Sequence, residues 1–256
     1  MKLDNKRILL TGASTGIGKA LLEELKKYDV KIVVGDLDPD MIEDVPGKVM
    51  SMKCDVSMAK NLDLLFSYAM SEMEGIDICI ANAGFAYYEV LDTEDWEHIE
   101  KIYRVNVFAP VYCMEKMKSI HGDSEYTVAV TASAMAKLPL PGYALYSSTK
   151  SAIDAFAYSY RFEKNSKANI CIVYPIATKT EFFRTAGKDT PVPFPAQSSE
   201  HVARCIVKGI RKNKKSVYPS RLFYFIMQLD RILPFVLFLY AKIEQRKMKR
   251  TIMKEK

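Results

Sequence analysis

At 256 residues with 49% hydrophobic content, the chain can bury a sizeable core and suits one large α/β domain. Its five cysteines, Cys54, Cys79, Cys113, Cys171 and Cys205, are odd in number and widely spread, which excludes a disulfide scaffold, and His98, His121 and His201 share no metal-ligand spacing. The formal charge of +6 is almost wholly local to the C-terminal tail, and no apolar run of signal-peptide length opens the chain, so a reduced, cytoplasmic protein without a metal is expected.

Arg7-Ile8-Leu9-Leu10 reads as a buried strand, and residues 19–27 carry helical spacing and strong helix formers. The turn between them, residues 11–18, has its glycines spaced G-x-x-x-G-x-G. Glycine permits a sharp turn, and without a Cβ it lets a pyrophosphate approach the backbone where the first N–H groups of a helix face outward. Gly12, Ser14, Thr15, Gly16, Ile17 and Gly18 are therefore candidate dinucleotide contacts, although an ordinary strand-to-helix turn would use the same residues. Val30 to Gly35 reads as a second strand ending in Asp36, placed to bind the adenosine ribose hydroxyls of NAD and to repel the extra phosphate of NADP. Leu37 follows it with no cation beside it, and Lys19 is the nearest in sequence, so NAD is favoured over NADP. The alternative for Asp36 is a solvated carboxylate in an acidic run with Asp38, Asp40, Glu43 and Asp44.

Further along, residues 48–53 read as a strand leading to Asp55 and Val56, residues 57–73 as a helix, and residues 76–81 as a strand leading to Asn82-Ala83-Gly84. Helical pattern over 92–120, a strand over 127–131, a helix over 143–164 and a strand over 169–174 complete the alternation. Such alternation predicts a Rossmann-type doubly wound parallel sheet with helices on both faces, formed by right-handed crossovers. Asp55, Asn82, Ser133 and the segment after Tyr174 all follow strand ends, where ligands bind on these sheets. The small side chain and glycine of residues 82–84 would let the backbone lie close to a flat ligand, or would simply make a turn. Tyr146 and Lys150 are four apart on a predicted helix, so the ammonium can sit near the phenol and favour its ionised form. A chance pair on a solvated face is the alternative.

In order and spacing, T-G-x-x-x-G-I-G at 11–18, Asp55, N-A-G at 82–84, Asn106, Ser133 and Y-x-x-x-K at 146–150 resemble the short-chain dehydrogenase/reductase family, from residue 6 to about 211. The resemblance implies Tyr146 as catalytic acid/base, Lys150 as the group that binds the nicotinamide ribose and depresses the tyrosine pKa, and Ser133 as a hydrogen-bond partner of the substrate oxygen. It implies that Asn106 holds a proton-relay water, that Asp55 and Val56 flank the adenine, and that Asn82, with Ala83 and Gly84, supports the site. It further implies cofactor contacts at Pro175, Thr178 and Thr180, and a homodimer or homotetramer packed through residues 92–120 and 143–164. Ile176 departs from the family pattern, which has glycine after that proline.

A substrate lid is expected near residues 176–197, with Phe182 and Phe183 followed by Pro191, Pro193 and Pro195. Residues 1–215 then form the dinucleotide-binding and catalytic domain, and 216–256 an apolar and basic extension. Its two apolar runs, 222–227 and 232–241, are each shorter than a spanning helix, and from Lys242 to Lys256 seven Lys or Arg stand against two Glu. Apolar aromatic surface beside a basic tail suits peripheral contact with an anionic membrane through residues 220–256; an oligomer contact or a flap over the pocket is the alternative. Nucleic-acid binding is not expected, because the aromatics lie in apolar blocks and not between the charges. These features predict an NAD(H)-dependent oxidoreductase that interconverts a secondary alcohol and a ketone on a lipophilic substrate, a hydroxysteroid or long-chain lipid. The alternatives are a small polar alcohol or sugar as substrate, or a non-catalytic NAD(H) sensor or scaffold.

Overall fold

The computed structural model describes residues 1–163, 167–180, 182, 195–230, 232–233 and 235–252. Seven parallel strands lie in the order β3-β2-β1-β4-β5-β6-β7. They are β1 (Lys6–Thr11), β2 (Val30–Asp36), β3 (Val49–Lys53), β4 (Ile78–Ala81), β5 (Thr127–Thr131), β6 (Asn169–Val173) and β7 (Ser216–Val217). The strand order reverses between β1 and β4, whose register pairs Leu10 with Ile80 and Thr11 with Ala81. At such a reversal the crossovers leave in opposite directions and a crevice opens beyond the strand ends.

The apolar runs become strands because both faces of the sheet are covered. One face is packed by α2 (Ala59–Met73), α4 (Ala109–His121) and α5 (Ala144–Glu163), with Leu65, Phe66, Met114 and Ile153 in its core. The other lies under α1 (Gly16–Leu25) and α6 (Ser199–Arg211), with Leu21, Leu25, Val202 and Ile206 in its core. The six strands read from periodicity are found within one or two residues of their expected ends, whereas α6 and β7 are additional. Because β7 pairs with β6 through Val173 and Val217, the sheet extends past residue 215.

Residues 92–120, expected as one helical stretch, are divided. Asp95 accepts a hydrogen bond from the His98 N–H at 3.0 Å and starts α3 (Trp96–Tyr103). A π-helical turn, Arg104–Phe108, then leads into α4. Pro110 has no N–H for the carbonyl of Asn106, four residues earlier, so the regular ladder cannot pass through this point.

The C-terminal chain returns to the body of the protein as α7 (Arg221–Asp230) and α8 (Val236–Ile252). Phe223 and Met227 of α7 pack on Ala134, with Ile176 and Tyr218 against them, and Tyr240 of α8 joins a cluster around Tyr146. Among the described residues, no helix is long and apolar enough to cross a membrane.

Candidate functional site

A cavity of about 820 Å³ opens at the strand reversal. Its walls carry Gly12, Ser14, Thr15, Gly16, Ile17 and Gly18 from the β1–α1 turn, Asp36 and Leu37 from the end of β2, and Asp55 and Val56 after β3. Asn82, Ala83 and Gly84 after β4, Ser133 after β5, Tyr146 and Lys150 of α5, and Pro175 and Thr178 after β6 complete the predicted set on its surface. Two expected residues stand behind the wall: Asn106 beneath Gly84, and Thr180 against Gly16.

Glycine is required at two points of the first turn. Gly12, at φ +71°, lies so close to Ala83 that a Cβ there would come within 2.7 Å of the alanine Cα, and a Cβ on Gly18 would meet the Gly12 carbonyl oxygen at 1.7 Å. Thr15, the residue before α1, has an extended backbone and no side-chain capping bond, so the first turn of α1 presents N–H groups to the cavity without a capping side chain. An anion suits that position through both hydrogen bonding and the helix dipole.

Asp36 is buried and tied to the same turn. One carboxylate oxygen accepts from the N–H groups of Ala13 and Ser14 at 2.6 and 2.8 Å, and the other from Asp38 N–H at 3.0 Å. It is therefore not the solvated loop carboxylate that the acidic run allowed.

Asn82 joins three strand ends. Its Nδ2 donates to the Gly12 carbonyl at 2.7 Å, its Oδ1 accepts from Thr131 Oγ1 at 3.0 Å, and its backbone N–H, like that of Ala83, donates to Thr11 Oγ1 at 3.2 Å. Thr11 and Thr131 escaped the sequence reading, although both end a strand and the filter that picked out Asp55, Asn82 and Ser133 applies to them equally.

Tyr146 and Lys150 share the buried face of α5, which rejects the chance pair on a solvated face. The lysine Nζ lies 5.5 Å from the tyrosine ring centroid and donates to the Thr131 carbonyl at 3.0 Å. Burial pushes the Tyr146 phenol up to about 12, while a hydrogen bond with Ser133 pulls in the opposite direction. The same burial lowers Lys150 to about 8. Burial and the Ser133 hydrogen bond thus act on the phenol in opposite senses, with burial the larger. A Cβ on Gly84 would come within 3.0 Å of Asn106 Oδ1 and 3.4 Å of Lys150 Nζ, so the glycine lets these two groups approach. The Asn106 amide is itself engaged, accepting from Phe85 N–H at 3.2 Å and donating to the Phe85 carbonyl and Thr149 Oγ1 at 2.8 and 3.1 Å.

Beyond Tyr146 the cavity is apolar. Phe85, Tyr87, Met135, Ala177 and Phe182 line it and belong to the cluster that packs on Tyr146, with the Phe182 ring 5.5 Å from the tyrosine ring. Of the expected lid, Phe182 is half-buried here, whereas residues 181 and 183–194, including Phe183, Pro191 and Pro193, lie outside the described residues. Ile176 packs towards Phe223 and Met227, which gives the departure from glycine a local reason: its side chain fills the contact between the β6 loop and α7.

The family described as short chain dehydrogenase matches residues 6–191. The hydroxysteroid 11-beta-dehydrogenase 1-like protein of Danio rerio is 27% identical over 236 residues, covering 87% of this chain and 81% of that protein. Human dehydrogenase/reductase SDR family member 11 is 29% identical over 216 residues, covering 77% and 82%. Two solved structures share the fold. A short-chain dehydrogenase from Burkholderia phymatum in complex with NAD has a TM-score of 0.79 at 18% identity, covering 91% of this chain and 96% of that one. One from Burkholderia cenocepacia in complex with NADP has a TM-score of 0.78 at 22% identity, covering 94% and 99%.

Proposed function

Since the chain belongs to the short-chain dehydrogenase family and is an oxidoreductase of that family, we propose that it interconverts a secondary alcohol and a ketone on a lipophilic substrate, a hydroxysteroid or long-chain lipid, with NAD(H). The observation that carries this reading is the position of Tyr146, which lines the same cavity as the glycine turn while packing into an aromatic cluster. The glycine turn and the start of α1 would hold the cofactor pyrophosphate, Asp36 the adenosine ribose, and Asp55 and Val56 the adenine. Ala83, Gly84, Lys150, Pro175, Thr178 and Thr180 would hold the nicotinamide half, which supplies or accepts the hydride when bound.

The proton belongs to the chain's own residues. Tyr146 gives its phenol proton to the substrate oxygen in reduction and takes it back in oxidation, and Ser133 donates a hydrogen bond to the same oxygen as charge develops there. Lys150 carries the positive charge that favours phenolate, while Asn106, whose side chain is fixed by Phe85 and Thr149, would hold the relay water. Asp36 supports NAD over NADP, because a buried carboxylate beside the turn repels a 2′-phosphate.

Two assembly readings accompany this one. Phe108, Tyr158 and Phe162 project from the π turn and α5 with more than half of each surface exposed, which supports a homodimer or homotetramer through these helices. Exposed Phe225, Ile232, Phe235 and Phe238 beside a basic tail support peripheral contact of the C-terminal extension with the anionic inner face of a membrane.

Nicotinamide absorbance with purified protein, NAD or NADP, and a panel of steroid, long-chain and small polar alcohols tests the reading. Turnover of the lipophilic alcohols with NAD, lost in Tyr146→Phe while NADH binding persists, is expected. NADH binding with no turnover of any alcohol or ketone would replace the enzyme by a sensor or scaffold.

A further inference from the structure

Ser133 precedes a short 3-10 turn, Ala134–Ala136, and its Oγ accepts from the Met135 N–H at 3.1 Å. The hydroxyl position is thereby set by the shape of the turn, while its O–H is left to donate. The turn closes on itself through the Ala136 N–H to the Ser133 carbonyl and the Lys137 N–H to the Ala134 carbonyl, at 3.0 and 2.9 Å. These internal bonds fix its shape but not its place against α5 and β6.

Groups outside the turn supply that place. The Pro175 carbonyl accepts from the Ala134 N–H at 2.8 Å, and the Ala136 carbonyl accepts from Ser151 Oγ of α5 at 3.2 Å. Asp154 of α5 makes the remaining tie: one carboxylate oxygen accepts from Lys137 Nζ and the other from Tyr174 Oη, each at 2.5 Å. Tyr174 is buried directly before Pro175, and Lys137 Nζ lies 5.7 Å from its ring centroid, so the three side chains close on one another. Burial, then the bond to Asp154, push the Tyr174 phenol above its ordinary range and keep it a donor. Along α5, Tyr146, Lys150 and Asp154 follow one another at four-residue steps, one helical face.

We propose that Asp154 is a positioning residue whose carboxylate clamps the Ser133 turn and the start of the Pro175 loop to the helix that carries Tyr146 and Lys150. An ionised carboxylate suits the task because it accepts on both oxygens and makes the stronger, charge-assisted bonds. Lys137, Asp154 and Tyr174 all stand outside the cavity wall, so they act on the reaction only through the groups they hold. The aim of Ser133 Oγ at the reacting oxygen depends on them, and a misplacement of about 1 Å at such a donor costs on the order of 100-fold in rate. This inference rests on the proposed alcohol–ketone activity.

The test uses full-length protein with NAD and the lipophilic alcohol that the wild type turns over best. Asp154→Ala should lower kcat about tenfold or more while KM and NADH affinity stay within about twofold. Lys137→Met should change kcat in the same direction, and Lys137→Arg, which keeps a cation in reach of the carboxylate, should recover most of the loss. In a Ser133→Ala background Asp154→Ala should cost no further rate, because the group it positions is gone. Full additivity in that cycle, or unchanged kcat in the single variants, overturns the clamp and leaves the activity standing. Because Lys137 is more exposed than Asp154, Lys137→Met carries the same cycle if Asp154→Ala does not fold. Hydrogen exchange over residues 132–138 needs no turnover: it should be faster in the Asp154 and Lys137→Met variants while β1 and α1 exchange as in the wild type. Equal exchange overturns the clamp whatever the kinetics, and faster exchange in a protein that turns over no alcohol or ketone keeps the clamp and overturns the activity.

Discussion

Gly18 lies against Gly12 so closely that a methyl group at residue 18 would sit 1.7 Å from the Gly12 carbonyl oxygen, which also accepts the Asn82 amide at 2.7 Å. Gly18→Ala must therefore displace the backbone that shapes the turn, and at least about tenfold weaker NADH binding is expected. Gly47→Ala is the contrast, because Gly47 has a positive φ but nothing within 4 Å of its Cβ position. It should lose about 1 kcal/mol from local strain and keep its NADH affinity. Fluorescence titration of both variants would expose the error if they bound equally well.

Asp36 holds the same turn from the other side through Ala13 and Ser14. Asp36→Ser removes the negative charge and shortens the acceptor, so kcat/KM with NAD should fall by about tenfold or more while that with NADP rises. An unchanged ratio between the two cofactors would show that another group sets the preference.

Lys150 predicts a stability change with pH. Its ordinary pKa of 10.5 is lowered by burial to about 8 in the fold, so between these values the unfolded chain binds the extra proton. Stability should rise with pH across this window, by about 3 kcal/mol in full. Tyr146 acts in the opposite sense at higher pH: raised from 10 to about 12, it makes stability fall as pH climbs through that range. Urea midpoints at several pH values, taken as differences between wild type and Lys150→Met, isolate the lysine. Parallel curves for the two proteins would contradict its buried charge.

Periodicity made β1 to β6 legible because all but the edge strand β3 are short apolar runs buried along most of their length, and the carboxyl-end rule picked out Asp55, Asn82 and Ser133 without reference to any neighbour. Long-range consequences were not legible in the same way. The Asn106 amide is spent on Phe85 and Thr149, 21 and 43 residues away, and no local pattern announces those partners. Spacing placed Lys150 near Tyr146, but the balance between charge and desolvation depends on burial supplied by distant loops. Ile176 reads in sequence as a misplaced branched residue until α7 brings Phe223 to it.

That contact yields a stability prediction. Phe223 is buried on Ala134, one residue after Ser133, so Phe223→Ala should destabilise by about 3 kcal/mol or more. Because the same cluster supports the Ser133 turn and Ile176, kcat should fall with it. Retained kcat in a destabilised variant would separate the two effects and show that α7 serves stability alone.

Neighbouring apolar residues on the extension should behave in the opposite way. Phe225, Ile232, Phe235 and Phe238 expose half or more of their surface, so little core packing is lost when they are replaced by serine. Each single change should alter stability by no more than about 0.5 kcal/mol. If this surface meets a membrane, each aromatic or aliphatic group removed from the lipid boundary weakens binding by roughly 1–3 kcal/mol, and the basic tail makes attachment depend on anionic lipid. Cosedimentation with vesicles containing phosphatidylserine should therefore be strong for the wild type, weak for the fourfold serine variant, and reduced by high salt for both. Equal sedimentation of the two proteins would rule out the membrane. A shift of the serine variant to a smaller assembly in solution would instead assign the surface to a second copy of the chain.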